Sequence, residues 1–312
     1  MRKCGIIGCG DVGASIGFAL MQSRLFNEMV LVDINRDKAE GEAMDLSHSL
    51  PFNKPMDIYA GDYNDLQDAG IIIITAGAAQ KPNETRLDLV HKNVQIFKQI
   101  IPQIVKYNSE AILLVVSNPV DILTWVTLKL SGFPQERVIG SGTVLDTGRL
   151  KYLVGKHLNV DPRSVHAYII GEHGDSELAV WSSASIGGIP IDAFCELRGH
   201  YEQHIENRRK IADEVRNSAY EIIKRKGSTY YGIASAVTRI CECILRDEHS
   251  ILPISSYICG HYEVQDICLS VPTIVAENGV QKVLDIKLNE EEQTLLNASY
   301  NSLKEVLESI QF

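Results

Sequence analysis

The sequence predicts an α/β protein in which a doubly wound parallel sheet is followed by a second, mixed α/β domain. In the first half, short continuous apolar runs alternate with segments of helical periodicity, which indicates a parallel sheet with helices on both faces. After about residue 142 this alternation ends, and long helices come before a group of short strands. We therefore expect one domain over residues 1–141 and a second over residues 142–312.

Six buried strands are expected in the first half. They are predicted in the segments CGIIG, MVLVDI, IYAG, IIIITAG, AILLVVSNP and VIGSGT. Helices are predicted over about residues 12–23, 36–50 and 85–107. The third is the clearest, because its apolar residues recur at helical spacing from Leu87 to Val105. Pro119 is expected at the first position of the next helix, where the missing N–H has no consequence.

The second half is predicted to hold long helices and short strands. Helices are expected over about residues 200–226 and, after Gly227, up to residue 246. Strands are expected in HAYIIGEHG, SILPISSYI, DICLSVPTIVA and VQKVLDIKL. Asn278-Gly279 predicts a type I′ hairpin turn between the last two. Asn289, followed by three glutamates, predicts the N-cap of the final helix.

Composition excludes several classes of protein. The 312-residue chain has a net charge of -10, whereas a dedicated nucleic-acid binder usually has a basic surface. Its apolar runs fall short of the roughly 18 residues that span a bilayer, and glycines interrupt the N-terminal segment where a signal peptide needs an apolar core. Seven scattered cysteines without a Cys-x-x-Cys motif favour free thiols in a reducing cytoplasm over disulfides or a metal site. We expect a cytoplasmic protein without metal, nucleic-acid or membrane partners.

A glycine motif between the first strand and the first helix predicts a Rossmann-type dinucleotide site. The three glycines of GCGDVG permit a tight turn, approach of a pyrophosphate and packing of helix on strand. Asp33 ends the second strand, where a carboxylate would bind ribose hydroxyls and repel a 2′-phosphate, which favours NAD over NADP. The alternative is a glycine turn followed by a helix-capping aspartate. The predicted cofactor residues here are Gly8, Gly10, Asp11, Val12, Gly13 and Asp33.

A histidine between two glycines lies at a predicted strand end, in IGEHGD. Histidine is the side chain best suited to give and take one proton near neutral pH, so His173 is a candidate acid and base. Asp146 is a candidate partner for its far ring nitrogen. Arg149 lies on the same helical face as Asp146, and a guanidinium there can bind a carboxylate through two hydrogen bonds. The alternatives are a structural histidine, a helix-capping aspartate and a surface salt bridge.

The chain resembles the lactate/malate dehydrogenase family over almost its whole length. The resemblance lies in GCGDVG, VDI, AGAAQKPNETRLDL, VSNPVD, LDTGR, GEHGDS and KGST, in this order. It implies a Rossmann-type domain, an α/β substrate domain, and reversible hydride transfer between NAD(H) and a small 2-keto or 2-hydroxy acid. It also implies that residues 77–87, starting at Gly77 beside the cofactor, form a lid over the substrate.

The resemblance also implies a role for each matching residue. His173 would be the proton donor and acceptor and Asp146 its partner. Arg149 would bind the substrate carboxylate, and Arg86 would polarise the keto oxygen. Asn118 would lie beside nicotinamide and substrate, through a peptide bond to Pro119 that is cis in the family. The remaining matches are Thr229 in the substrate pocket and Ile233 on the nicotinamide.

Gln80 is the position that separates the two branches of the family. The malate enzymes have an arginine there for the second carboxylate of oxaloacetate, whereas a neutral glutamine suits pyruvate and L-lactate. Lys81 next to it keeps the malate branch open, and a wider pocket would indicate a broader L-2-hydroxyacid dehydrogenase. A non-catalytic protein of the same fold is a further alternative, against which the complete set of catalytic residues argues.

The resemblance is to bacterial members, because the chain begins directly on the first strand. Such members form homodimers or homotetramers, and many are activated by fructose 1,6-bisphosphate held by an arginine and a histidine. His166 matches the histidine, but Lys151 stands in place of the arginine. A lysine binds phosphate as a point charge only. Two ordinary surface residues are the alternative interpretation.

Overall fold

The computed structural model describes residues 2–78 and 86–310, with the backbone alone for Arg86. The described helices are α1 (Asp11–Ser23), α2 (Arg36–His48), α3 (Arg86–Tyr107), α4 (Val120–Ser131), α5 (Val144–Leu158), α6 (Ile191–Leu197), α7 (Tyr201–Lys226), α8 (Tyr231–Leu245) and α9 (Glu290–Glu308). The described strands are β1 (Lys3–Ile7), β2 (Glu28–Val32), β3 (Asp57–Ala60), β4 (Ile71–Ile74), β5 (Ile112–Val115), β6 (Val138–Gly140), β7 (Val165–His166), β8 (Ile169–Ile170), β9 (Leu178–Ala179), β10 (Ser185–Ile186), β11 (Ile189–Pro190), β12 (Ser250–Leu252), β13 (Ser255–Ile258), β14 (Ile267–Ser270), β15 (Thr273–Ala276) and β16 (Gly279–Val283). No described helix is long and apolar enough to cross a bilayer.

The main sheet has the strand order β14-β13-β6-β5-β4-β1-β2-β3. Its six strands from the first half pair in parallel in the order 3-2-1-4-5-6, which is that of a doubly wound dinucleotide-binding sheet. The predicted fold class is confirmed. The chain reverses its winding direction between β1 and β4, so the crevice for a ligand opens at the carboxyl ends of these strands.

Both faces of this sheet are buried, as the continuous apolar strands predicted. Along β4, Ile72 and Ile74 belong to the core on one face, whereas Ile71 and Ile73 belong to the core on the other. A third core, between α5, α7 and the short strands β7 to β10, fills the second half. The side-chain period of two in a strand explains why an all-apolar run is needed here.

Two segments predicted as single strands are each divided between two sheets. SILPISSYI forms β12 and β13, which Pro253 separates, and DICLSVPTIVA forms β14 and β15, which Pro272 separates. β13 and β14 extend the main sheet in antiparallel orientation, whereas β12 and β15 pair with each other beside β16. A proline cannot donate to a strand ladder, so each proline stands where the chain leaves one sheet for the other.

Three local predictions need correction. Pro119 is the N-cap of α4 and not its first residue. HAYIIGEHG forms two short strands in different sheets, β7 and β8, and not one strand. In the β15–β16 hairpin, Ala276 pairs with Gly279, so Glu277 and Asn278 are the two central residues of the turn. A type I′ turn needs a positive φ at both central residues. Gly279 has a positive φ of 93°, but neither Glu277 nor Asn278 does, so the turn is not type I′. A side chain at Gly279 would also meet the carbonyl oxygen of Glu136.

Candidate active site

The loop between β1 and α1 is shaped by two packed glycines and one open glycine. Gly8 has a φ of 102°, and a Cβ there would lie 2.6 Å from the amide nitrogen of Ala76. A Cβ at Gly13 would lie 1.9 Å from the carbonyl oxygen of Gly8, whereas one at Gly10 would meet nothing within 4 Å. Gly10 is also the N-cap of α1, which no side chain caps. The loop therefore offers free amide groups and the positive end of a helix dipole to an anion such as a pyrophosphate.

Asp33 holds this loop against the end of β2. One carboxylate oxygen of Asp33 accepts a hydrogen bond from the backbone N–H of Cys9 (2.6 Å), and the other accepts from the N–H of Asn35 (2.9 Å). The cap of α2 is Asn35, whose side chain accepts from Lys38. Capping is therefore not the role of Asp33, and its carboxylate lies at the edge of the crevice beside the glycine loop.

Asp11 connects the glycine loop to the segment that carries Thr229. The hydroxyl group of Ser228 donates to the Asp11 carboxylate over 2.5 Å. Thr229 follows in the loop between α7 and α8 and is half-buried. Val12 on α1 and Ile233 on α8 pack against the same core, and α1 packs along α8. The predicted cofactor helix and the predicted pocket loop are thus in direct contact.

Asn93 joins the strand ends at the crevice. Its buried side chain accepts from the N–H of Ala78 (2.8 Å), next to Gly77, and donates to the carbonyl oxygen of Asn118 (2.8 Å). The Asn118–Pro119 peptide bond is cis. Gln80 and the Arg86 side chain lie outside the described residues, so the structure leaves both assignments as predictions.

His173 and Arg149 meet on the carboxylate of Asp146. Nδ1 of His173 lies 2.6 Å from one Asp146 oxygen, and Nη1 of Arg149 donates to the other over 2.7 Å. Asp146 and Arg149 lie one turn apart near the start of α5, and Asp146 is buried. Burial opposes the charged imidazolium, but the charge and hydrogen bond of Asp146 outweigh it and raise the pKa of His173 to about 9. Burial likewise opposes ionisation of Asp146, but His173 and Arg149 hold its pKa below the usual value.

A second buried carboxylate positions the loop that carries His173. The backbone N–H of His173 donates to Asp121 on α4 (2.7 Å), and the hydroxyl of Ser270 donates to the other Asp121 oxygen (3.3 Å). Complete burial raises the pKa of Asp121 to about 6. Gly171, before His173, has a φ of 92° and packs against Ser299, so this glycine is needed for the turn and not for ligand access. Asp121 lies in the first turn of α4, three residues after Asn118, and its bond to the His173 N–H brings His173 to the crevice.

Lys151 and His166 lie on neighbouring elements, α5 and β7, which pack against each other. His166 is exposed, whereas Lys151 is half-buried, and burial lowers the pKa of its amine. Lys151 and His166 therefore lie in the same part of the second half of the chain, where α5 packs against β7.

Comparison with known proteins agrees with this geometry over both halves of the chain. Residues 2–140 match the family model of the lactate/malate dehydrogenase NAD binding domain, and residues 143–311 match that of the lactate/malate dehydrogenase alpha/beta C-terminal domain. The chain belongs to the lactate/malate dehydrogenase family. The predicted cofactor, NAD, is confirmed by this match together with the packed glycine loop.

Individual members of the lactate/malate dehydrogenase family are similar to the chain along its length. An L-lactate dehydrogenase of Acetivibrio thermocellus is 55% identical over 310 residues, which are 99% of this chain and 98% of that protein. L-lactate dehydrogenase 1 of Clostridium acetobutylicum is 54% identical over 308 residues, 99% and 98% of the two proteins. The crystal structure of minor L-lactate dehydrogenase from Enterococcus mundtii, in a ligand-bound form, superposes with a TM-score of 0.95 at 45% identity and covers 100% of this chain and 99% of that one.

Three residues at the dehydrogenase site were missed by the sequence analysis: Asn93, Asp121 and Glu177. Asn93 is a polar residue on the buried face of α3, among Val90, Val94 and Phe97. Asp121 is the last residue of the VSNPVD motif, and Glu177 follows GEHGDS directly. A polar residue at an apolar helical position is the signal that could have found Asn93. For Glu177 the sequence gives no such signal, because its burial results from packing of α5 and α7.

Proposed function

We propose that this chain is an NAD-dependent L-lactate dehydrogenase that interconverts pyruvate, NADH and a proton with L-lactate and NAD. The observation that carries the proposal is the shared Asp146 carboxylate, which holds a proton-transfer imidazole and a carboxylate-binding guanidinium side by side. This pair reaches the crevice of an NAD-binding sheet through the bond from His173 to Asp121. The relatives named above, all L-lactate dehydrogenases, support the substrate assignment.

The residues present fit NAD. Gly10 leaves open space where a pyrophosphate approaches, and Gly8 and Gly13 are packed too closely for any side chain. Asp33 would bind the ribose hydroxyls, with Asp11, Val12, Gly77, Asn118 and Ile233 along the rest of the site. Bound NADH supplies the hydride.

The protein's own contribution is proton transfer and charge binding. Protonated His173 would donate its proton to the keto oxygen, and Asp146 stabilises the imidazolium and fixes the ring orientation. Arg149 would bind the substrate carboxylate with the nitrogens that do not contact Asp146. Arg86 would stabilise charge on the oxygen in the transition state, a contribution worth about 3–4 kcal/mol for one such donor. Closure of residues 77–87 would exclude water.

Substrate size and charge would be selected by three residues. Gln80 would face the methyl group of pyruvate, Thr229 would line the pocket, and Asn118 would contact both substrate and nicotinamide. A second carboxylate against a neutral glutamine would be buried without a counter-charge, which is costly. The site would therefore bind pyruvate in preference to oxaloacetate.

The remaining parts of the proposal concern organisation and regulation. We divide the chain into a Rossmann-type domain, residues 1–141, and a substrate domain, residues 142–312. The free thiols, of which six of the seven are buried, fit a cytoplasmic protein. The chain would form a homotetramer or homodimer and act in fermentation. Lys151 and His166 would bind fructose 1,6-bisphosphate at a subunit interface.

Initial rates of NADH oxidation test the proposed activity directly. With pyruvate and with oxaloacetate at saturating NADH, we expect a higher kcat/KM for pyruvate, and His173→Asn should lose nearly all of the activity. A preference for oxaloacetate would replace the assignment by malate dehydrogenase. Absence of turnover with either keto acid would leave a non-catalytic protein of this family.

A further inference from the structure

A third titratable side chain lies beside the His173–Asp146 pair. One carboxylate oxygen of Glu177, a ring nitrogen of His173 and one oxygen of Asp146 all lie within 4.8 Å of one another. Glu177 lies directly before β9 and is only 5% exposed. Its Oε1 atom is buried and has no hydrogen-bond partner among the described residues. A buried carboxylate without partners is costly when ionised, so its position favours the protonated acid.

His173, Arg149 and Arg216 face Glu177 and favour its ionised form, but none of them donates a hydrogen bond to the buried Oε1 atom. From α5 it faces Asp146 and Arg149, and Arg149 is already bonded to Asp146. From α7 it faces Arg216, but Arg216 pairs with Asp213 and donates to the backbone carbonyl of Glu177, not to its carboxylate. Burial, followed by the negative charge of Asp146, raises the pKa of Glu177 to about 8.

Glu177 also borders a cavity that the cofactor and substrate residues do not line. The cavity has a volume of about 420 Å³ and lies between α7, the start of α9 and the chain from Glu177 to Trp181. Among its lining residues, Glu177 is the one that also belongs to the cluster around His173. Water in this cavity would give the Glu177 carboxyl a path for proton exchange that a bound substrate does not block.

We propose that Glu177 is a positioning residue for the hydride-transfer reaction. It controls the proton affinity of His173, because its carboxyl group is protonated at neutral pH and ionised at alkaline pH. This inference rests on the proposed function. Below the Glu177 transition, the anion bonded to the His173 ring is Asp146, while Asp121 accepts from the His173 backbone N–H. Above it, the ionised Glu177, within 4.8 Å of the His173 ring nitrogen, stabilises the imidazolium and keeps His173 able to donate a proton at a pH where it would otherwise be neutral.

The pH dependence of Glu177→Gln tests the proposal, since glutamine has the same shape as the protonated acid but cannot ionise. We expect the alkaline fall of kcat/KM for pyruvate, and the rise of kcat/KM for L-lactate, to move to lower pH by about 1 unit. The matched control is Glu291→Gln, which removes an exposed carboxylate from the same cavity but outside the His173 cluster, and its profile should match the wild type. An unchanged profile in Glu177→Gln would overturn the proposal.

Infrared difference spectra between pH 7 and pH 10 provide a readout that does not depend on turnover. The wild type should show the C=O stretch of a protonated carboxylic acid that disappears at pH 10, and Glu177→Gln should lack this band. Absence of the band in the wild type, or its persistence in the variant, overturns the inference even if lactate turnover is normal. Failure of the proposed function would instead appear as a wild type without pyruvate turnover.

Discussion

Nδ1 of His173 and Oδ2 of Asp146 are 2.6 Å apart, and the other oxygen of the same carboxylate accepts a hydrogen bond from Arg149. One buried carboxylate thus orients both the proposed proton donor and the proposed substrate-binding guanidinium. The two functions are coupled, because a change at Asp146 acts on both at once.

Asp146→Asn should lower kcat/KM for pyruvate by about 10²-fold or more, because the amide cannot stabilise the imidazolium or balance Arg149. Circular dichroism should show a folded protein. Asp161→Asn is the matched control, since Asp161 forms an exposed ion pair with Arg163 and should keep the wild-type rate. A nearly wild-type rate in Asp146→Asn would remove Asp146 from the mechanism.

The two directions of the reaction should depend on pH with opposite sign. Pyruvate reduction needs protonated His173, so its kcat/KM should fall as pH rises through the pKa of about 9. Lactate oxidation needs the neutral imidazole, so its kcat/KM should fall as pH decreases through the same range. Profiles in both directions from pH 6 to 10 give the measurement, and parallel slopes would contradict the role of His173.

NAD(H) should be preferred over NADP(H) by at least about tenfold in kcat/KM, because the Asp33 carboxylate repels a 2′-phosphate. Asp33→Ser should narrow this ratio, and it should also weaken NADH binding because the Cys9 N–H loses its carboxylate acceptor. Asp45→Ser, an exposed change farther along α2, is the control. Equal efficiency with both cofactors in the wild type would show that Asp33 does not face the ribose.

Fructose 1,6-bisphosphate should lower the KM for pyruvate or promote subunit assembly, as measured by initial rates and by sedimentation. The double variant Lys151→Ala, His166→Ala should lose this response and keep its activity without the effector. If the wild type responds in neither measurement, these residues are ordinary surface positions.

Gln80→Arg should move the ratio of kcat/KM from pyruvate towards oxaloacetate by about 10²-fold or more. Arginine offers a charge-assisted bond to the second carboxylate, worth about 1.5–3 kcal/mol, and it leaves an unpaired cation against the methyl group of pyruvate. Lys81→Arg, at the next position, is the control for a general change in loop charge. An unchanged ratio in Gln80→Arg would mean that Gln80 does not face the substrate.

Local patterns in the sequence were sufficient to predict much of the fold. The parallel sheet, the glycine loop and the N-cap at Asn289 each depend on residues within one or two adjacent elements. The division of two predicted strands between sheets was not foreseen, because an apolar run fits either sheet and only the contacts with β6 and β16 decide the pairing. The hairpin at Gly279 was mispredicted for a similar reason, since its glycine is needed against the backbone of Glu136 in a distant segment.

The sequence by itself determined the fold class, the cofactor and the identity of the candidate acid and base, since residue spacing alone encodes a strand, a glycine turn and a helix. The tertiary structure decided which distant groups support that site. Each supporting group is far in sequence from its partner at the crevice. Asn93 is 25 positions from Asn118, Asp121 is 52 positions from His173, and Glu177 is 31 positions from Asp146. Their burial and their partners arise only when α3 and α4 pack on the main sheet and α5 packs on α7, and the ionisation of a carboxylate depends on that environment and not on its sequence neighbours.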